Sequence, residues 1–216
     1  EKDFTDKMPG DVSSKIPSKN EWLFQQAAIW PDIARGLPNN PPSKLRDTFH
    51  RPAWHFINRP VFLSDADQMA LSPGLRFNLD LDPPAAATKD TKNMNVVQTI
   101  RFARKVLNDP MAKKEDKALM LSWLFHCVGD IHQVMHSSAL VTPNLFPAGD
   151  HGGNSIHVSP RQNLHSLWDS FLGTGGFRDA RNQSFIWTNN EPTKEIGTDA
   201  EGQLDESVWL KESYEY

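Results

Sequence analysis

Apolar residues at Val96, Ile100, Ala103 and Leu107 follow the i, i+4, i+7 rule, which predicts an amphipathic helix over Asn95–Asn108 stopped by Asp109-Pro110. A second helix is expected from Lys113 to about Met135. Its first turn is charged, and the nearly continuous apolar run from Ala118 to Val128 suits a helix buried on most sides. Upstream, Ser18 and Glu21 form a capping-box pattern, and Trp22, Leu23, Gln26, Ile29 and Trp30 continue a helical stripe until Pro31 interrupts it. Asp32 and Arg35 then sit just beyond that helix. Shorter helices are predicted over Asn163–Leu172 and from Asp205 to Tyr216. Between these elements, Gly36 to Pro60 is dense in Pro and Asn and reads as a long irregular connection, with Trp54, Phe56 and Ile57 clustered around His55. Asn144 to Asn154 is a Pro- and Gly-bearing loop, and neither an internal repeat nor a run of alternating strand positions is visible. Residues 1–17 are polar and rich in Lys, Asp, Ser and Pro, a loose arm ahead of a single domain over 18–216. The fold class expected is all-α.

Composition narrows this picture. A chain of 216 residues, 38% hydrophobic and 23% charged, suits one globular domain with a substantial core, and no apolar run is long enough to span a bilayer. The formal charge of -4 gives no global attraction for polyanions, so nucleic-acid binding would need bound cations or local patches. Cys127 is the one cysteine, which excludes an intramolecular disulfide and a multi-cysteine zinc cluster and leaves His and carboxylates as the plentiful metal ligands. The chain begins at Glu1 with no basic-then-apolar leader, so a signal peptide is either absent or already removed.

The central helix carries His126 and Asp130 four residues apart, which puts both side chains on one face, one above the other. His136 lies about 120° away round the same helix if the helix continues that far, and would address a neighbouring ion. His165 and Asp169 repeat the i, i+4 arrangement on the short helix and make a three-ligand set with His136. Three protein ligands leave a position open for water, as catalytic zinc requires. Each pair alone could be a polar contact or a hydrogen-bonded core histidine. Together they place ionisable groups in a largely apolar helix, where an unpaired charge is costly and a cation partner explains them better.

The segments His126-Cys-Val-Gly-Asp130-Ile-His-Gln-Val-Met-His136, Asp150-His-Gly-Gly-Asn154 and Asn163-Leu-His165-Ser-Leu-Trp-Asp169 resemble the zinc-dependent single-strand nucleases of fungi, plants and bacteria. The resemblance extends to Trp30-Pro-Asp32-Ile-Ala-Arg35, Trp54-His55-Phe56-Ile-Asn58 and Trp209-Leu-Lys-Glu-Ser213, and so covers nearly the whole chain. It implies the single-domain helical fold, with long loops, shared by these nucleases and bacterial zinc phospholipases C, with three zinc ions held in a cleft. One zinc would take Asp32, His55, His126 and Asp130, and another His136, His165 and Asp169. Asp130 would bridge to the third, which in the family is completed by an N-terminal Trp and a following His. The segment before Ser18 contains neither residue, so the chain either lacks its true N-terminus or has lost one zinc site; truncation at both ends is the expectation.

The resemblance further implies hydrolysis of single-stranded DNA and RNA to nucleoside 5′-phosphates, with 3′-nucleotidase activity, by a water activated at zinc. Asp130 and Arg35 would be catalytic, the guanidinium stabilising charge on phosphate oxygens. Phe56 and Asn58 match the place where a base stacks and is hydrogen-bonded, although fungal members carry Asp where this chain has Asn58. Gly152, Gly153 and Asn154 look like a loop that approaches substrate, its glycines permitting close backbone contact; a plain turn is the other reading. Asp150 would orient ligands or water. His132 is either a supporting group beside the ligands or an ordinary surface or core histidine. A monomer acting on single-stranded nucleic acid or nucleotides, without a protein partner and secreted or periplasmic, is expected. A zinc phospholipase C is the rival, although those enzymes commonly carry Glu where this chain has Asp169; a zinc-binding fragment without catalysis is the third reading.

Overall fold

The computed structural model describes residues 19–36, 44–159, 163–170 and 205–215. In chain order these form α1 (Lys19–Arg35), α2 (Lys44–Phe49), a 3-10 turn (Pro52–His55), β1 (Arg59–Phe62), α3 (Asp65–Leu71), a second 3-10 turn (Ser72–Gly74) and α4 (Val96–Asn108). There follow α5 (Lys114–Ile131), α6 (Val134–Ser137), β2 (Ser138–Val141), α7 (Leu164–Asp169) and α8 (Glu206–Glu215). The structure is mostly helical, as the all-α reading expects. The proposed arm over 1–17, Ser18 of the first capping box, Leu172 and Tyr216 lie outside the described residues.

Contacts group the chain into two units. The first draws on Glu1–His55 and Asp82–Asp130. Its core follows from the apolar stripe of α4, where Val96, Val97, Ile100 and Ala103 are fully buried, joined by Trp54, Trp123, Met120 and Cys127. The Trp54 and Trp123 rings meet edge to face at 4.8 Å, and Trp54 Nε1 donates to Thr91 O at 2.8 Å. Arg51 straps the same turn down by donating to Lys89 O, His50 O and Asp90 Oδ1. The backbone just before His55 is therefore fixed from two sides.

Asn95 opens α4 with a reciprocal pair: its side chain accepts from Gln98 N at 2.9 Å and its backbone N–H donates to Gln98 Oε1 at 3.0 Å. Both side chains are buried, so an amide left unpaired there cannot turn to water. Asn95→Ala should lower the unfolding free energy by about 1–2 kcal/mol, read by urea denaturation; an unchanged midpoint would show that the cap is dispensable.

Two helix boundaries differ from those predicted. Helix α1 runs through Pro31 to Arg35, so Asp32 and Arg35 lie on it, one turn apart. Proline removes one helical hydrogen bond, but Pro31 and Ala34 are buried and Trp30 packs against Phe49 at 5.2 Å. That packing holds the helix on both sides of the proline. The stop comes at Gly36, whose φ of 77° and N–H bond to Ile33 O suit a left-handed helix end.

Helix α5 ends at Ile131 instead of continuing to Met135. Ile131 O accepts from Ser137 Oγ at 3.0 Å and Ser213 Oγ at 2.6 Å, and Gln133 caps a separate short helix, α6. His136 therefore stands on α6.

The second unit draws on Phe56–Leu81 and Ile131–Tyr216. Strands β1 and β2, which sequence patterning did not suggest, pair in parallel with Arg59 opposite Ser138 and Phe62 opposite Val141. Their pairing, with Ile57 N donating to His136 O at 2.8 Å, fixes α6. From α8, Tyr214 Oη donates to Pro60 O at 3.0 Å and its ring lies 4.1 Å under the Arg59 guanidinium. Helix α3, also unforeseen, starts at Ser64, whose Oγ accepts from Asp67 N.

Candidate metal centre

In the first unit, α1, the 3-10 turn and α5 bring Asp32, His55 and His126 together, with one ligand atom from each lying within 4.8 Å of the others. His126 Nε2 is 3.0 Å from His55 Nδ1, 3.2 Å from Asp130 Oδ2 and 3.8 Å from Asp32 Oδ1. Asp130 Oδ2 is also 3.0 Å from His55 Nδ1. Tetrahedral zinc, with bonds near 2 Å, separates its ligand atoms by roughly 3.3 Å. The spacing fits that ion.

Protonation supports the same fit. His126 Nδ1 is 2.7 Å from Ala28 O, and a carbonyl can only accept, so the proton is on Nδ1. In the neutral ring Nε2 then offers a lone pair to the cluster. Burial holds His55 below its ordinary pKa, opposed by the Asp32 carboxylate and reinforced by the Arg35 guanidinium, which favours its neutral ring. Lone pairs and carboxylate oxygens converging on one point call for a cation. Arg35, exposed on the last turn of α1, is near enough for its charge to act on His55.

In the second unit, His136, His165 and Asp169 form another such group within the same 4.8 Å limit. The two imidazole rings lie 4.8 Å apart, and His165 Nε2 is 3.7 Å from Asp169 Oδ2. His165 Nδ1 donates to Gly152 O at 2.8 Å, which again leaves Nε2 as the ligand atom. Gln133 serves two helices: its Oε1 caps α6 and its Nε2 donates to Asp169 Oδ1 at 3.0 Å.

The loop that presents Gly152 is built from its buried acid. Asp150 Oδ1 accepts from Leu140 N at 3.0 Å and Oδ2 from Gly153 N at 3.1 Å, pinning the loop to β2. Gly152 and Gly153 have φ of 60° and 76°, and a Cβ at Gly152 would stand 2.2 Å from Met135 O. At Gly153 it would meet Met135 Sδ at 2.6 Å. Both glycines thus pack against the residue before His136. Asn154 is exposed, with Nδ2 donating to His151 O at 2.9 Å.

Phe56, 37% exposed, and the half-buried Asn58 follow His55 directly in the chain. His132 packs against Trp209 with ring centroids 5.4 Å apart. The segment before residue 19, where the resemblance places further ligands of a third site, lies outside the described residues. Sequence reasoning missed the carbonyls of Ala28 and Gly152 and the amide of Gln133. No side-chain pattern signals a carbonyl acceptor.

The S1/P1 nuclease family matches the chain over residues 1–216. The chain belongs to this family. No curated protein matches it. As an S1/P1 nuclease the protein is a hydrolase acting on nucleic acid, in a family that is zinc-dependent in general and whose members are generally secreted. No helix among the described residues is long and apolar enough to cross a membrane.

Proposed function

We propose that this S1/P1 nuclease is a zinc-dependent phosphodiesterase that cuts single-stranded DNA and RNA to nucleoside 5′-phosphates and removes 3′-phosphates from nucleotides. The observation that carries the reading is the pair of His/Asp groups, each with a histidine whose Nδ1 proton is committed to a backbone carbonyl. Asp32, His55, His126 and Asp130 would hold one zinc, and His136, His165 and Asp169 another. Bound zinc supplies a Lewis acid and lowers the pKa of a water to about 7.

The chain's own groups do the rest. Asp130, within 3.0 Å of His55 Nδ1 and 3.2 Å of His126 Nε2, is a carboxylate suited to orient the attacking water and accept its proton. Arg35 would bind the non-bridging phosphate oxygens and stabilise their charge in the transition state. The Phe56 ring offers a stacking face to a base and Asn58 an amide to its edge; stacking of this kind accepts unpaired bases of any sequence. Gly153 and Asn154 would border the substrate, and the net charge of -4 leaves strand attraction to the metal ions and to Arg35. We further propose a secreted monomer, folded as one domain over 18–216.

Assaying the purified protein on single-stranded DNA, double-stranded DNA and phosphatidylcholine, with and without a chelator, tests this. Chelator-sensitive cleavage of the single strand well above the other two is expected. Preferential hydrolysis of phosphatidylcholine would replace the reading with that of a phospholipase C.

A further inference from the structure

Among the described residues one non-glycine, His151, has a left-handed backbone, with φ 58°. Its neighbours hold it there. Asp150 before it is buried and bonded to Leu140 N and Gly153 N, and Gly152 after it gives its carbonyl to His165 Nδ1. The His151 carbonyl accepts from Asn154 Nδ2 at 2.9 Å and from Asn154 N at 3.4 Å, and ring Nδ1 lies 3.0 Å from Ser155 Oγ. Gly149, Gly152 and Gly153 supply left-handed positions around it at no steric cost, yet a branching side chain stands at 151. A glycine there would meet every backbone requirement of the turn. His151 is itself exposed, whereas Gly152 and Gly153 are buried against Met135. Strain of this kind persists where the surroundings over-determine it, commonly at ligand contacts.

We infer that His151 is a substrate-binding residue: with the Ser155 hydroxyl donating to Nδ1, Nε2–H donates to a phosphate oxygen of the nucleic-acid strand beside the His136, His165 and Asp169 group. This rests on the nucleic-acid substrate proposed above. Asn154 then acts through His151, its amide holding the carbonyl that keeps the ring presented. Ser155 holds the ring at Nδ1, its hydroxyl free to donate there when Nε2 carries the proton.

The test compares the zinc-loaded wild type with His151→Gly and Ser155→Ala. It reads the affinity for a non-hydrolysable single-stranded oligonucleotide by fluorescence anisotropy, KM and kcat on the hydrolysable form, and thermal stability. His151→Gly should weaken binding and raise KM about ten- to a hundredfold, the worth of one hydrogen bond to a charged oxygen, with kcat within about twofold. Its melting temperature should stay equal or rise, because glycine relieves the left-handed strain. Ser155→Ala should weaken binding in the same direction by a smaller factor. Unchanged oligonucleotide affinity in His151→Gly overturns the inference, and so does a loss of affinity accompanied by a lower melting temperature, which would mark His151 as structural. If the wild type binds the strand without cutting it and His151→Gly still binds more weakly, the hydrolytic reading fails and the contact stands.

Discussion

Replacing His126 with alanine should lower kcat/KM on single-stranded DNA by about a thousandfold or more and strip zinc from the first group. His126 Nε2 is the atom on which that group converges, with His55, Asp130 and Asp32 atoms at 3.0, 3.2 and 3.8 Å. Removing it leaves two carboxylates and one imidazole, without the ring that Ala28 O holds in the ligating tautomer. The ion's share of transition-state stabilisation is several kcal/mol, and each 1.36 kcal/mol is tenfold in rate. Steady-state kinetics on a defined oligonucleotide, with metal analysis of the same sample, measures both effects. A His126→Ala enzyme retaining more than about a tenth of wild-type activity would remove the first group from the chemistry.

The second large effect is expected at a residue with no side chain. Gly152→Ala should destabilise the metal-free protein by about 2–4 kcal/mol, combining a left-handed backbone penalty with displacement of neighbouring backbone. The new Cβ would lie 2.2 Å from Met135 O, which cannot rotate away as a side chain can. Moving Met135 moves His136, and moving Gly152 O releases the Nδ1 proton of His165, so zinc at the second group should be lost as well. Gly153→Ala should cost less, since its closest obstacle is the flexible Met135 thioether, although His165 N stands 3.2 Å away. Urea denaturation and metal content of the two variants, side by side, test the order; equal effects, or a Gly152→Ala protein as stable as wild type, would refute it.

These expectations show which parts of the molecule were legible in the sequence. The i, i+4 pairs His126/Asp130 and His165/Asp169 were readable because helical periodicity fixes which side chains share a face, and α4 announced itself through its apolar stripe and the Asp109-Pro110 stop. The true end of α5 was not. It is set by Ser213, 82 positions away, and by Ser137, both taking the Ile131 carbonyl, and neither hydroxyl carries a local stop signal. Pro31 misled in the opposite direction, since packing of Trp30 on Phe49 overrides a local breaker. The β1/β2 pairing joins two four-residue strands far apart in the chain, too short to show alternation. Asp32 and His55 came into the ligand set by resemblance alone, because nothing in their local spacing relates them to His126. The structure then sets all three within 4.8 Å.

Zinc content per chain, measured on protein purified without added metal and dialysed against buffer, tests the metal-centre claim most directly. One zinc for each of the two ligand groups is the expected result, with one ion lost in His126→Ala and the other in His165→Ala. A wild-type chain free of zinc, and unable to take it up on titration, would contradict it.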